Sequence, residues 1–486
     1  MNQILADIVD KKEERLNCLG FTDGEAIPKQ RKHPVVLPEL DKNILICEIK
    51  RSSPSQGQMN RISDPVKLAT EYVNNGATAI SVLTERDFFN GSLRDLMRVK
   101  SHIPHIPILR KDFLLYPEDI DISFRAGADM VLLIASLFRG MPGGKSRLQS
   151  LYNKIQSTGM LPLVEIHDEE DYDFVKGLNP DLIGINSRNL ETFEINPSKP
   201  HALRHRIKNG TIIYESGING FSDAFFAGLS DFSGILVGSS IVKSSEPGQT
   251  IGQIQQGFDA GRRQTNHFYR QLFHTVYFEK SPVIKVCGIT NKEDLLSLMD
   301  AGCDIAGFIL ANSPRQIDLL QLEKLSHTIT GKMLRVGVVT PDSINIGMKA
   351  IKSGLVDALQ VHGLKPLSAD KTDVPIDACW YQANNISNKD DIKDPLTPFV
   401  LYDAFEKGKY GGTGKMLSHE LVTHIKDRSE IFGLAGGITP ENVKDILEAF
   451  NPPVIDVCSG LEKSPGMKDI RKVKLFFKHI MDIRRD

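Results

Sequence analysis

Two successive sets of eight short β-rich runs, each run followed by an amphipathic stretch, constrain this chain more than any other feature. The first set is ILICEIK (44–50), TAISVLT (78–84), IPILRK (106–111), DMVLLI (129–134), LPLVEI (161–166), LIGIN (182–186), TIIYE (211–215) and GILVG (234–238). A polar, strand-poor stretch follows, and the series restarts with VIKVC (283–287), DIAGFIL (304–310), LRVGVV (334–339), DALQVH (357–362), ACWYQ (378–382), FVLYD (399–403), IFGLAGG (431–437) and VIDVC (454–458). Strands alternating with helical patterns imply βα units and a parallel sheet. Several helical stretches end alike, in NNGATAI, RAGADMV, DAGCDIA and KSGLVDA, with a glycine placed for the left-handed cap that returns the chain to the sheet.

Eight βα units per half is the pattern of a closed barrel. A doubly wound open sheet would carry a Gly-rich dinucleotide loop after its first strand; the two halves have RSSPSQG and GITNKED there instead. At 486 residues the chain also exceeds what one core can serve, about 250–300 residues. The expected fold is therefore α/β, two tandem (β/α)8 TIM barrels, over residues 1–256 and 282–486 with a connecting segment at 257–281. Fragments 1–260 and 277–486 are expected to work apart, since a barrel buries its own core.

A formal net charge of -2 supplies no attraction for nucleic acid or an anionic membrane. The first twenty residues lack a continuous apolar core, and no apolar run reaches the roughly 18 residues of a spanning helix, so a cytoplasmic protein is expected. Six cysteines stand singly, with no histidine at metal-ligand spacing, and are read as reduced thiols with no metal site.

Barrel active sites lie at the C-terminal strand ends. There the first half places Glu48 and Lys50, Lys111, Glu165, Asn186 and Glu215. Glu48 and Lys50, two apart, face the same way. Any one could be a loop charge or a structural ion pair; together they converge on one mouth. The seventh and eighth loops of such barrels frequently hold a phosphate. ESGING and VGSS stand there in the first half, LAGGIT and CSGLE in the second, and GGTGK (411–415) follows the second half's sixth strand. Small phosphorylated molecules are the ligands this pairing suggests.

The first half resembles indole-3-glycerol phosphate synthase through EIKRSSPSQG, LRKDF, LVEIH, GINSRNL, ESGI and GILVGSS. The second resembles phosphoribosylanthranilate isomerase through KVCGIT, NSPRQI, LQVHG, LYDAF, GGTG, LAGGI and DVCSGLE. Their order is that of fused bifunctional enzymes of tryptophan biosynthesis. The first resemblance implies indole-ring closure with loss of CO2 and water: Lys111 as general acid, Glu165 as general base, Lys50 as second acid and Glu48 beside it. Asn186 and Arg188 would orient substrate, Ser53, Glu215 and Ser216 would complete the wall, and Gly217, Gly238 and Ser239 would receive phosphate. Phe89 and Phe113 are candidates to sandwich the anthranilate ring, or plain core residues.

The second resemblance implies an Amadori rearrangement with Asp403 as acid and Cys287 as base. Arg315, His362 and Asp456 would contact substrate, and Gly437, Ser459 and Gly460 would form the phosphate cup. A solvated strand-end histidine is the plain alternative for His362. Three features depart from the family patterns: Gln56 replaces a Lys, Cys458 a common Ser, and the loop after GGTG lacks its usual aromatic and acidic residues. Neither mechanism calls for a cofactor. A monomer with its two barrels in contact is expected. The rival is one active barrel fused to a silent phosphosugar-binding barrel.

Overall fold

The structure is a computed structural model that describes residues 3–53, 57–58, 64–189, 192, 194–279, 282–364, 379–392, 397–404, 416–428 and 431–485. Gln56 and the 411–415 loop lie outside the described residues, as does the side chain of Ser53.

Eight parallel strands close the first barrel: β1 (Ile44–Ile49), β2 (Ala79–Leu83), β3 (Ile108–Lys111), β4 (Met130–Ile134), β5 (Leu161–Ile166), β6 (Leu182–Asn186), β7 (Thr211–Glu215) and β8 (Gly234–Val237). Each pairs with its neighbour in sequence, and β1 pairs with β8 through Ile44↔Gly234 to Cys47↔Val237. The second barrel repeats this with β9 (Val283–Cys287), β10 (Ile305–Ile309), β11 (Leu334–Val339), β12 (Ala358–His362), β13 (Trp380–Ile386), β14 (Val400–Ala404), β15 (Phe432–Leu434) and β16 (Val454–Val457). The expected two-barrel architecture is the one observed.

The strands are continuous apolar runs because inner and outer faces are both covered, by core side chains and by helices. Gly127 and Gly302 cap their helices at φ 103° and 84°, returning the chain to β4 and β10. Two strands depart from the sequence pattern. β13 runs to Ile386 rather than ending at 382, its Asn-rich end paired through Asn384↔Tyr402 and Asn385↔Asp403. β15 stops at Leu434, because Gly436 and Gly437 take φ of 87° and 62°, outside the strand region.

The chain divides into two compact units, Met1–Arg263 and Gln264–Asp486. Within the first, helix Pro247–Arg263 crosses helix Phe221–Leu229 at close range. A Cβ on Gly257 would stand 2.2 Å from Phe221 O, and one on Gly261 2.0 Å from Phe225 O, so only glycine permits this approach. Within the second, helix His267–Phe278 buries Phe268, Tyr269 and Leu272; Phe268 stacks on Tyr381 and Tyr269 Oη donates to Trp380 O at 2.5 Å. No described helix is long and apolar enough to cross a membrane.

Candidate active sites

At the C-terminal mouth of the first barrel, Lys111 ends β3 and points at three carboxylates. Its Nζ lies 2.5 Å from Glu215 Oε2, 3.5 Å from Glu165 Oε2 and 3.9 Å from Glu48 Oε2. Lys50 Nζ pairs with Glu48 Oε1 at 2.9 Å. Room for this cluster comes from missing side chains: a Cβ on Gly184 would stand 1.9 Å from Glu215 Oε1, and one on Gly238 2.6 Å from Glu48 Oε1.

Burial is the largest influence on Lys111 and opposes its charge, but the fields of Glu215, Glu165 and Glu48 outweigh it and hold the ammonium well above the usual lysine range. Burial likewise opposes the charge on Glu48, and Lys50 and Lys111 overcome it. Glu165 and Glu215 compete for Lys111 in a dry pocket, where two adjacent carboxylates do not both ionise readily. Burial reinforced by Glu165 pushes Glu215 up to about 8 despite the nearby Lys111. For Glu165 the burial penalty is overcome by Lys111 and by His167, which keep it below the usual carboxylate range. The difference is the second cation, which Glu165 has in His167 and Glu215 lacks.

That second cation was not singled out in the sequence. His167 Nε2 lies 3.3 Å from Glu165 Oε1 and its Nδ1 3.3 Å from Asp171 Oδ2, while Arg139 Nε holds Asp171 Oδ1 at 3.2 Å. Burial opposes the imidazolium, but these carboxylates raise His167 to about 9. The signal was present in outline: His167 shares the parity of Glu165, and Asp171 follows four residues later in the first turn of a helix.

One cavity is lined by Glu48, Lys50, Lys111, Glu165, Asn186 and Arg188 together with Phe89, Phe113, Ser216, Gly217, Gly238 and Ser239. Glu215 is fully buried beneath it. Ile195 and Asn219 join the wall unforeseen. Asn186 Oδ1 accepts from Arg188 N at 3.0 Å, fixing the loop after β6. Ser216 and Gly217 both take left-handed φ, 67° and 82°. Ser240 Oγ donates to Ile218 O at 2.8 Å and ties the seventh loop to the eighth. The rings of Phe89 and Phe113 sit 6.4 Å apart at 39°. They adjoin as one apolar wall, without the parallel slot a sandwich requires.

In the second barrel Cys287 ends β9, buried, and its inner-face neighbour two residues earlier, Lys285, pairs with Asp456 Oδ2 at 2.6 Å. The adjoining Cys458 thiol, as hydrogen-bond partner, lowers Cys287 to about 7; burial opposes this and Lys285 assists it. Asp403 is buried on β14, in register with Asn385. Asp456, expected at the substrate, is held from below by Lys285. His362 is not a solvated strand-end residue. It is buried, bonded to Gln360 at 2.7 Å with Tyr381 Oη donating to Gln360 Oε1, and burial near Lys285 lowers it to about 4, so the ring is neutral.

Arg315 forks onto Glu462, at 2.9 Å from Nε and 2.7 Å from Nη2. Gly437 follows β15 with left-handed φ, and Ser459 and Gly460 form the turn after β16. A Cβ on Gly460 would meet Ile438 O at 1.9 Å, so the seventh and eighth loops of this barrel touch through backbone. Lys468, also unforeseen, is fully buried and donates to Cys287 O at 2.7 Å, Cys458 O at 3.3 Å and Glu462 Oε1 at 3.2 Å.

Two closed (β/α)8 barrels with acid and base groups gathered at strand ends define a tandem-barrel enzyme. The family model for indole-3-glycerol phosphate synthase matches residues 3–254, and that for N-(5'phosphoribosyl)anthranilate (PRA) isomerase matches residues 284–479. The chain belongs to the indole-3-glycerol phosphate synthase family, with a PRA isomerase domain in tandem.

A multifunctional tryptophan biosynthesis protein of Schizosaccharomyces pombe is 30% identical over 91% of this chain and 60% of its own length. The chain thus spans about six tenths of that relative. An indole-3-glycerol phosphate synthase of Bacillus mycoides is 36% identical over 50% of this chain and 95% of its own. Among solved structures, phosphoribosyl anthranilate isomerase of Thermotoga maritima is 26% identical with a TM-score of 0.36, covering 41% of this chain and 99% of its own.

Proposed function

We propose that the second barrel isomerises N-(5-phosphoribosyl)anthranilate to 1-(2-carboxyphenylamino)-1-deoxyribulose 5-phosphate, and that the first closes this product to indole-3-glycerol phosphate. In the second barrel Asp403 protonates the ribose ring oxygen, opening the ring to an imine. Cys287 then takes the C2 proton, and the enolamine relaxes to the ketone. The thiol lowered to about 7 supports this role, since a sizeable thiolate fraction exists at neutral pH.

In the first barrel Lys111 donates to the substrate ketone as the anthranilate ring carbon attacks it. CO2 leaves, restoring aromaticity to the benzene ring, and the hydroxyl departs as water with Lys50 as second acid and Glu165 as base. The observation that carries this reading is the Lys111 cluster: a largely buried ammonium facing Glu215, Glu165 and Glu48, of which Glu165 is also held by His167 and Glu48 by Lys50. Asn186 and Arg188 orient substrate, Phe89 and Phe113 back its aromatic ring, and Gly217, Gly238 and Ser239 take its phosphate. Arg315, His362, Asp456, Gly437, Ser459 and Gly460 serve the isomerase substrate. Each set of residues comes from one barrel, so a monomer suffices. A base thiol suits the reducing cytoplasm.

Two assays on the purified chain test the proposal: loss of phosphoribosylanthranilate fluorescence, and formation of indoleglycerol phosphate from supplied carboxyphenylamino-deoxyribulose phosphate. Both activities are expected. Activity in one assay alone would favour a silent second barrel.

A further inference from the structure

Cys287 ends the first strand of the second barrel, and Cys458 immediately follows its last. The register of β9 on β16 runs Val283↔Val454 through Val286↔Val457; one position on, Cys458 has left the strand and stands beside Cys287, their thiols in hydrogen-bond contact. Two residues earlier on each strand, Lys285 and Asp456 meet inside the barrel at 2.6 Å. By the two-residue alternation of strand side chains, both cysteines therefore lie on that same inner face. Their carbonyl oxygens converge on a single ammonium, Lys468 Nζ, at 2.7 and 3.3 Å. A Cβ built on Gly288 would stand 3.1 Å from Cys458 Sγ, which sets that sulfur against the backbone adjoining Cys287.

Paired strands lie about 4.8 Å apart, inside the roughly 4.4–6.8 Å Cα separation that a disulfide spans. Neighbouring thiols already in hydrogen-bond contact are thus within reach of a bond. Cys287 is buried at the mouth, and Cys458 is partly exposed. No other cysteine combines these conditions: Cys47 is buried in the first barrel, Cys303 and Cys379 are buried just before the starts of β10 and β13, at the opposite strand ends, and Cys18 is exposed on the N-terminal helix.

We propose that Cys287 and Cys458 form a reactive dithiol site that a small hydroperoxide converts to a reversible intramolecular disulfide, switching off the second barrel alone. The Cys287 thiolate attacks the peroxide oxygen; the S–O bond forms, the O–O bond breaks, and hydroxide leaves and takes up a proton. Cys458 then attacks the sulfenic sulfur; the S–S bond forms, the S–O bond breaks, and water departs with the Cys458 proton. In sum two thiols and one hydrogen peroxide give one disulfide and two waters, and a small dithiol reverses the change. Cys458 thereby shields the sulfenic acid from irreversible oxidation to sulfinic acid.

The loss of turnover rests on the proposed role of Cys287; the bond itself does not. The full chain is treated with hydrogen peroxide, alkylated, digested without reduction and analysed by mass spectrometry, with both activities followed in parallel. A Cys287–Cys458 cross-linked peptide is expected. At least tenfold loss of isomerase rate should accompany it, restored by dithiothreitol, with the synthase rate unchanged. Cys458→Ser, compared with its own untreated rate, should lose isomerase activity to peroxide in a form dithiothreitol does not restore. Absence of the cross-link while Cys287 passes to sulfinic acid, or a bond between chains instead, overturns the dithiol site. A cross-link that leaves isomerase turnover intact upholds the site and overturns the base assignment of Cys287.

Discussion

His167 stands between two carboxylates, 3.3 Å from Glu165 on one ring nitrogen and 3.3 Å from Asp171 on the other. Its raised pKa, about 9, makes it a partly buried imidazolium at neutral pH. Glu165 also faces Lys111, Glu48 and Glu215 across the mouth. Removing the imidazolium leaves Glu165 with Lys111 as its one cation, 3.5 Å away and closer to Glu215. In His167→Asn the Glu165 carboxylate should gain its proton more readily, so the acid limb of the synthase kcat profile should move to higher pH, by about one unit or more. Isomerase profiles should not move. An unshifted limb in a folded variant would separate His167 from the base.

The same histidine links pH to stability. Its folded pKa lies above its ordinary 6.5, so its contribution is fully present below about 6.5 and lost as pH rises through about 9. Urea midpoints of the first barrel should fall over that window, and His167→Asn should flatten the fall.

Lys111→Ala or Glu165→Gln should lower synthase turnover at least about a hundredfold, the scale of a positioned acid or base, with isomerase turnover intact. Gly184→Ala tests the geometry without touching a charge. Its methyl would meet Glu215 Oε1 at 1.9 Å and push that carboxyl off Lys111. Synthase kcat should drop while the isomerase assay on the same sample stays constant.

Cys287→Ser should abolish measurable isomerisation and spare ring closure, because a serine hydroxyl is too weak an acid to supply a base here. In the unmodified chain the isomerase rate should rise with pH through a limb near 7, the value to which Cys458 and Lys285 lower this thiol against its burial. The limb belongs to the coupled thiol pair, not to one residue. A rate independent of pH between 6 and 8, with chemistry rate-limiting, would exclude Cys287 as the base.

The two halves should separate at 263/264, where the contacts divide. Fragment 264–486 keeps helix His267–Phe278. A start at 277 discards Phe268, Tyr269 and Leu272, all buried. Each such side chain contributes about 1.5–3 kcal/mol, so the shorter fragment should unfold at markedly lower urea while the longer one retains isomerase activity.

The barrels were legible in sequence because each strand is a short apolar run set off by turn residues, and strand ends alone fix where a barrel places its chemistry. Lys111 and Glu165 follow from that rule; Cys287 was reached through the family resemblance. What escaped depends on packing across distant segments. Lys468 sits ten residues beyond Cys458 in a short hairpin with no local sign of its target, the Cys287 carbonyl at the other end of the barrel sequence. The upward shift of Glu215 follows from depth and from the second cation it lacks. Asn384 and Asn385 hid the end of β13, since asparagine marks turns more often than strands. Phe89 and Phe113 had the right location, but their mutual angle is set by packing that no spacing records.

Lys468 binds the carbonyls at the ends of the first and last strands of its barrel, the seam at which the sheet becomes a ring. Around the rest of the circle, successive strands are tethered by the intervening chain; at this seam the neighbours are β9 and β16, furthest apart in sequence. The proposed base sits at that junction. The thiol pair and the ammonium that joins their carbonyls are therefore brought together only by the pairing of β9 with β16, and the proposed site exists only in the closed ring. Under the proposed function, isomerase turnover would report closed barrels alone.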